Sequence, residues 1–309
     1  MLVLLGDAVG RHGARSAPGR DDETDDSHME LSAWRLHHTF IARAAMCYGI
    51  VTDAGGCRDD RTDVMKIPAI IGHRGARSNA PENTLAGLRR AHDEGASWVE
   101  FDVKLTRDGI PVLIHDETLE RTTDGRGAVR DLTLAELDRV DAGCPAVFGD
   151  RFRGERIPTL EQSLLLLRDL GMGFNLEVKP CPGLEVETSH AALAVVARVW
   201  PAGAALPVVS SFKRASLEAA RQAAPALPRG YLAERLAGDW LADARDLGCA
   251  TIHPGFSRLT RAQVEEARAA GLPVLAWTVN DPARAIELHR WGVDSLITDT
   301  PAIIAAAIA

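Results

Sequence analysis

From residue 67 onward, short apolar and β-branched runs alternate with stretches of helical period. The strand-like runs are 69–72 (AIIG), 98–103 (WVEFDV), 173–178 (GFNLEV), 207–212 (PVVSSF), 229–233 (RGYLA), 249–253 (CATIH), 273–279 (PVLAWTV) and 294–298 (DSLIT). Most are continuous in apolar character, the pattern of strands covered on both faces. Between them, residues 82–94 put Leu85, Leu88 and Ala91 on one helical face, with Asn83 and Thr84 as cap candidates. Residues 160–170 repeat leucine at Leu160, Leu164 and Leu167. Residues 261–270, 281–291 and 301–308 read the same way, and Pro282 and Pro301 fall near helix starts, where proline is tolerated.

Eight strands, each leading to a helix, predict an α/β fold: a closed parallel (β/α)8 TIM barrel. A ninth run, 110–114 (IPVLI), breaks the alternation. It follows the second strand through the turn signal Arg107-Asp108-Gly109 and reads as a hairpin arm. Residues 117–158 are then a small insertion after that hairpin, expected over the barrel mouth. A doubly wound open sheet is the competing fold, disfavoured because no G-x-G-x-x-G follows the first strand.

Residues 1–66 do not share this pattern. They hold the acidic run Asp21-Asp22-Glu23-Thr24-Asp25-Asp26 and Gly/Arg/Asp-rich stretches, with helical character only over 31–51. They read as a disordered or loosely attached extension to a barrel domain at 67–309. They also read as a stretch that is not translated. Met65 stands just before the first strand, and a start there leaves a chain close to the roughly 250 residues of a single barrel. Intact mass of the native protein decides between the two.

Composition is that of a soluble globular protein, 46% hydrophobic and 25% charged. A net charge of −8, with Lys and Arg scattered, argues against a nucleic-acid partner. The cysteines (Cys47, Cys57, Cys144, Cys181, Cys249) are odd in number and irregularly spaced, which suggests free thiols in a reducing cytoplasm. No apolar run approaches the roughly 18 to 20 residues of a membrane span. The opening MLVLL lacks a basic flank and ends at Gly6-Asp7, so it does not read as a signal peptide.

Barrel enzymes carry their active residues at the C-terminal ends of the strands. Strand one ends in Gly72-His73-Arg74-Gly75: an arginine fork between glycines suits a phosphate oxygen. Strand two carries Glu100 and Asp102, spaced by two and therefore on one face. Two inward acids on an apolar strand are costly unless they bind a cation. All-oxygen ligands favour Mg2+ or Ca2+ over zinc. The next barrel strand adds Glu177 as a third carboxylate and Lys179 as a counter-charge for phosphate, with Asn175 pointing deeper. His115, at the end of the hairpin arm, gives a second imidazole beside His73. A histidine pair can remove a proton from a nucleophile and give one to a leaving alkoxide. Trp277 is a candidate wall for the substrate. His253 is either a ligand contact or a structural hydrogen-bonding residue. His92, His190 and His289 fall on predicted helices as surface residues, and His12, His28, His37 and His38 in the extension have no assigned role.

The ordered set resembles the glycerophosphodiester phosphodiesterases, in their short bacterial cytoplasmic type. It comprises His73-Arg74-Gly75, Pro81-Glu82-Asn83-Thr84, Glu100-x-Asp102, His115-Asp116, Thr122-Thr123-x-Gly125, Ile157-Pro158-Thr159-Leu160-Glu161, Leu176-Glu177-Val178-Lys179, Trp277-Thr278-Val279-Asn280 and Ile297-Thr298-Asp299. Each fragment is weak alone; their order over about 68–300 is specific. The resemblance implies a (β/α)8 barrel with an inserted segment, a divalent cation, and hydrolysis of glycerophosphodiesters to sn-glycerol 3-phosphate and an alcohol. It implies Glu100, Asp102 and Glu177 as metal ligands, His73 and His115 as the acid–base pair, and Arg74 and Lys179 on the phosphate. The partner is then a small-molecule substrate. Two other readings compete. One is a related barrel phosphodiesterase acting on intact phospholipid or sphingolipid. Such an enzyme must engage a membrane, and no basic amphipathic helix or exposed aromatic cluster is seen for stable membrane association. The other is a non-catalytic phosphate-ligand binding barrel, which would need no acid–base pair.

Overall fold

The computed structural model describes residues 67–309. The extension, its possible helix over 31–51 and the alternative start at Met65 lie outside the described residues. Eight parallel strands form the barrel: β1 (Ile70–His73), β2 (Trp98–Leu105), β4 (Gly173–Val178), β5 (Val208–Ser211), β6 (Arg229–Ala233), β7 (Thr251–Pro254), β8 (Leu275–Ala276) and β9 (Ser295–Thr298). They run in the order β7-β6-β5-β4-β2-β1-β9-β8. Single parallel bridges, Ile252 to Val274 and Gly255 to Trp277, nearly close the circle between β7 and β8. The hairpin arm is β3 (Pro111–Leu113), antiparallel to β2.

Helices follow the strands as predicted. Leu85–Asp93 (α1) is capped by the Thr84 side chain, which accepts from the Gly87 N–H. Within the insertion, α2 (Leu134–Leu137) and α3 (Pro145–Phe148) are single turns. The barrel helices resume with α4 (Leu160–Asp169), opened by a capping box between Thr159 and Gln162. Three further helices, α5 (Glu185–Val199), α6 (Arg214–Ala223) and α7 (Trp240–Asp246), were not assigned from periodicity. The last three are α8 (Arg261–Ala269), α9 (Pro282–Trp291) and α10 (Pro301–Ile308). No helix among the described residues is long and apolar enough to cross a membrane.

The period of two along each strand divides the barrel into two environments. Outward residues such as Val99, Phe101, Phe174, Leu176 and Val209 pack against the helix layer in one large core. Phe101 stacks on Phe174, their ring centroids 5.4 Å apart. Inside, Ile71, Trp98, Val208, Leu275 and Ile297 make an apolar plug. Trp98 lies where a side chain at position 173 would stand: a Cβ on Gly173 would come within 2.3 Å of its indole. Further along the same inward face the residues turn polar. The β2–β4 register pairs Glu100 with Asn175 and Asp102 with Glu177, and Glu177 pairs in turn with Ser210 of β5. The insertion, 117–158, forms a small core with the hairpin arm: Leu119, Val129, Leu137, Ala142 and Ile157 pack with Val112 and Ile114.

Candidate active site

The polar end of the barrel opens into a cavity of about 260 Å³. It brings together His73, Arg74, Glu100, His115, Glu177, Lys179 and Trp277, all anticipated from the sequence. Asp102 lies just beneath, fully buried. None of the lining residues comes from 117–158, so the insertion reaches the mouth by another route, through Arg121.

Glu100, Asp102 and Glu177 each offer a carboxylate oxygen within 4.8 Å of the others, and all three are buried. Three negative charges so close and so dry repel one another. Burial, then the Asp102 and Glu177 charges, pushes the Glu100 carboxyl well above its usual range. Burial and Asp102 push Glu177 up to about 7. Asp102 stays ionised: burial opposes its charge, but Arg74 and Lys179 outweigh it. The Glu177 Oε1 atom lies 3.1 Å from Lys179 Nζ, an ion-pair distance, yet makes no aligned hydrogen bond. This donor set fits a hard divalent cation, whose charge would relieve the repulsion and use the orphaned oxygen.

Two cations face the trio. Arg74 has φ +51°, and its backbone N–H donates to Glu100 Oε2 at 3.1 Å. Its side chain runs between Asp102, 3.2 Å from Nε, and Glu82, 2.8 Å from Nη1. Lys179 donates to Asp102 Oδ1 at 3.2 Å. Lys104, the next inward residue after Asp102 on β2, is buried and donates to the Lys179 carbonyl at 2.9 Å, holding the end of β4. Nothing in the sequence pattern marked it.

Each histidine is tied through Nδ1 to a carboxylate. His73 pairs with Asp299 at 2.6 Å, and His115 with its neighbour Asp116 at 2.6 Å. Burial is the main cause that holds both imidazoles below their ordinary pKa, so both are neutral near pH 7. An ionised carboxylate only accepts, so Nδ1 carries the proton and Nε2 is free. The His73 Nε2 atom lies 3.9 Å from Glu100 Oε2, turned toward the acidic trio. Asp299 is anchored by Asn280 Nδ2 at 2.7 Å. In the sequence it stood only in the fragment Ile297-Thr298-Asp299, with no role assigned.

Asn83 departs from expectation. Thr84 alone caps α1, and Asn83, at φ +56°, turns inward to Asp102. On the opposite wall, Trp277 meets Phe212 edge to face at 5.6 Å and donates from its indole to the His253 carbonyl at 2.9 Å. His253 is fully buried and bonded to Thr251 Oγ1 at 2.8 Å. His92, His190 and His289 are exposed on helices.

A nearly closed barrel with buried carboxylates, two anchored neutral histidines and two cations at the strand ends defines a barrel phosphodiesterase. The family model of the glycerophosphoryl diester phosphodiesterases matches residues 73–303. The chain belongs to that family. It is 37% identical to the glycerophosphodiester phosphodiesterase of Caldanaerobacter subterraneus subsp. tengcongensis over 75% of this chain and 94% of the relative. It is 31% identical to that of Bacillus subtilis, over 75% and 83%. The structure of an Oleispira antarctica phosphodiesterase in complex with the product sn-glycerol 3-phosphate superimposes with a TM-score of 0.75. That match is at 42% identity and covers 78% of this chain and 96% of the other.

Proposed function

We propose that this barrel hydrolyses glycerophosphodiesters to sn-glycerol 3-phosphate and an alcohol, with Mg2+ or Ca2+ held by Glu100, Asp102 and Glu177. The observation that carries the reading is the buried carboxylate trio flanked by two histidines, each with a free Nε2 at the same mouth. When bound, the cation supplies positive charge to the phosphoryl oxygens. Arg74 and Lys179 leave their carboxylate partners in part to hold the phosphate, adding charge where it develops. One histidine takes the proton of the attacking oxygen, whether water or the glycerol 2-hydroxyl. The other takes up a proton from solvent at Nε2, becoming an imidazolium braced by its carboxylate, and gives that proton to the departing alkoxide, so no free alkoxide forms. Trp277 and Phe212 wall the carbon skeleton.

A second cavity of about 370 Å³ adjoins the first and shares His115, Glu177, Lys179 and Phe212 with it. It offers room for the alcohol on the His115 side of the phosphate, and on that ground we assign His115 as the proton donor and His73 as the base. We place the enzyme in the cytoplasm, in keeping with free thiols at Cys144, Cys181 and Cys249.

The test is release of glycerol 3-phosphate from glycerophosphocholine by purified protein in Mg2+, in Ca2+ and in chelator. Release with a metal and none in chelator is expected. No release with either metal, from folded protein, would overturn the reading; headgroup release from liposomes would then point to an intact-lipid substrate.

A further inference from the structure

The two histidine–carboxylate pairs are not separate. Asp116 receives Arg121 Nε at 2.5 Å and Nη2 at 3.0 Å. The same guanidinium donates to Glu82 from Nη1 at 2.9 Å and Nη2 at 2.7 Å. Glu82 also receives Arg77 Nε at 2.8 Å, and Arg77 Nη1 reaches Asp299 Oδ2 at 3.3 Å. The chain of contacts therefore runs His73, Asp299, Arg77, Glu82, Arg121, Asp116, His115, with charges alternating between the two imidazoles.

We infer that Glu82 is the central positioning residue of the catalytic apparatus. Through Arg77 and Arg121 it fixes both carboxylates, and thereby the ring orientation and tautomer of both histidines. The inference rests on the proposed acid–base roles of His73 and His115. Glu82 touches neither histidine, so it acts only through others.

Three features support it. Glu82 is the one carboxylate in the chain of contacts that receives three arginines, since Arg74 donates to it at 2.8 Å as well. Its side chain is 8% exposed, whereas those of Arg77 and Arg121 are 40% and 43% exposed. The arginines thus need an ionised partner fixed by the fold, and Glu82 follows Pro81 directly ahead of α1. Arg121 is supplied by the insertion, so beyond Glu117 at the second cavity the insertion contributes to the mouth by bracing His115. A planar guanidinium can bind two carboxylates with paired hydrogen bonds, which a lysine cannot reproduce.

The experiment uses the full chain and Arg121→Ala, Arg121→Lys, Arg77→Ala and Glu82→Gln. Arg121 lies at the surface and touches no proposed metal ligand. Arg121→Ala should lower kcat by about 10- to 100-fold, the scale of a misplaced catalytic group, with KM changed less than about twofold. Arg121→Lys should recover part of the loss. Calorimetric Mg2+ affinity and the unfolding midpoint should match wild type for Arg121→Ala. With 15N-labelled histidine, His73 and His115 should both show protonated Nδ1 in wild type, and Glu82→Gln should shift both signals. In a double-mutant cycle, Arg77→Ala and Arg121→Ala should be non-additive in kcat. Unchanged nitrogen signals in Glu82→Gln, or additive kcat losses, would overturn the inference. Nitrogen signals that respond as expected in a protein without phosphodiesterase activity would instead overturn the proposed function and leave the network standing.

Discussion

Asn83 grips Asp102 from both ends. Its side-chain amide donates to Asp102 Oδ2 at 2.9 Å, and the Asp102 backbone N–H donates to Asn83 Oδ1 at 3.2 Å. Both residues are buried. Asn83 adopts φ +56°, a conformation asparagine tolerates better than most residues. Asn83→Ala removes both hydrogen bonds, leaves Asp102 to Arg74 and Lys179 alone and places alanine in left-handed backbone. A loss of about 2.5–4 kcal/mol is expected, from roughly 1.5–3 for the charged bond and about 1 for the backbone. Urea unfolding measures it, and weaker Mg2+ binding should accompany it. A loss under about 1 kcal/mol would mean that water replaces the amide.

The carboxylate trio makes a prediction about protons. With Glu177 pushed up to about 7 and Glu100 raised as well, part of the trio is protonated at neutral pH until a cation arrives. Binding must then release protons. Calorimetry at pH 7 in buffers of different ionisation enthalpy should show net release on titration with Mg2+ or Ca2+. The metal should also stabilise the fold, by about 2.7 kcal/mol at 100 times Kd. Glu100→Gln should weaken both effects, and chelator should abolish them. An unchanged titration in Glu100→Gln would remove Glu100 from the proposed ligand set.

How much of this was legible in the sequence depends on distance along the chain. The strands declared themselves as apolar runs because their outward faces pack on helices. Glu100, Asp102 and Glu177 stood out because an acid on such a strand needs a reason. Helix α5 went unassigned because its packing face is partly polar. Thr188 and Ser189 are buried there, with Ser189 Oγ donating to the Ser216 carbonyl at 3.0 Å, so the apolar stripe is broken. Asp299 bonds to His73 across 226 residues, and Arg121 sits in a loop without period. Neither relation leaves a local trace. Asn83 did leave one, but cap propensity is a local signal and Asp102 is a tertiary partner; Thr84 was free to cap.

His115 lines both cavities, beside the space assigned to the leaving alcohol in the proposed reaction. His115→Ala should therefore lower turnover of glycerophosphocholine by about 10²-fold or more. A substrate with an aryl leaving group needs no proton, so the variant should lose much less on bis(p-nitrophenyl) phosphate. His73→Ala should lose activity on both. Equal losses for His115→Ala on the two substrates would exchange the two roles. Turnover within twofold of wild type would remove His115 from the chemistry.

His253 connects packing to pH. It is fully buried, and burial pushes its pKa down to about 3. The barrel accommodates its ring beside a glycine: a Cβ on Gly230 would fall 2.5 Å from Nε2. The unfolded chain protonates this ring near 6.5 and the folded chain only near 3. Between those values the unfolded state binds the extra proton, so the contribution of His253 to stability is present above pH 6.5 and is lost as pH falls toward 3. From pH 7 to pH 5 the loss amounts to about 2 kcal/mol for one such group. Urea unfolding in chelator at the two pH values should show wild type losing that much more than His253→Gln. The variant is the control because the buried carboxylates titrate alike in both proteins. The ring resonances of His253 should stay fixed over the same interval. A ring that titrates between pH 7 and 5, or equal losses in the two proteins, would mean that water reaches His253 through the cavity.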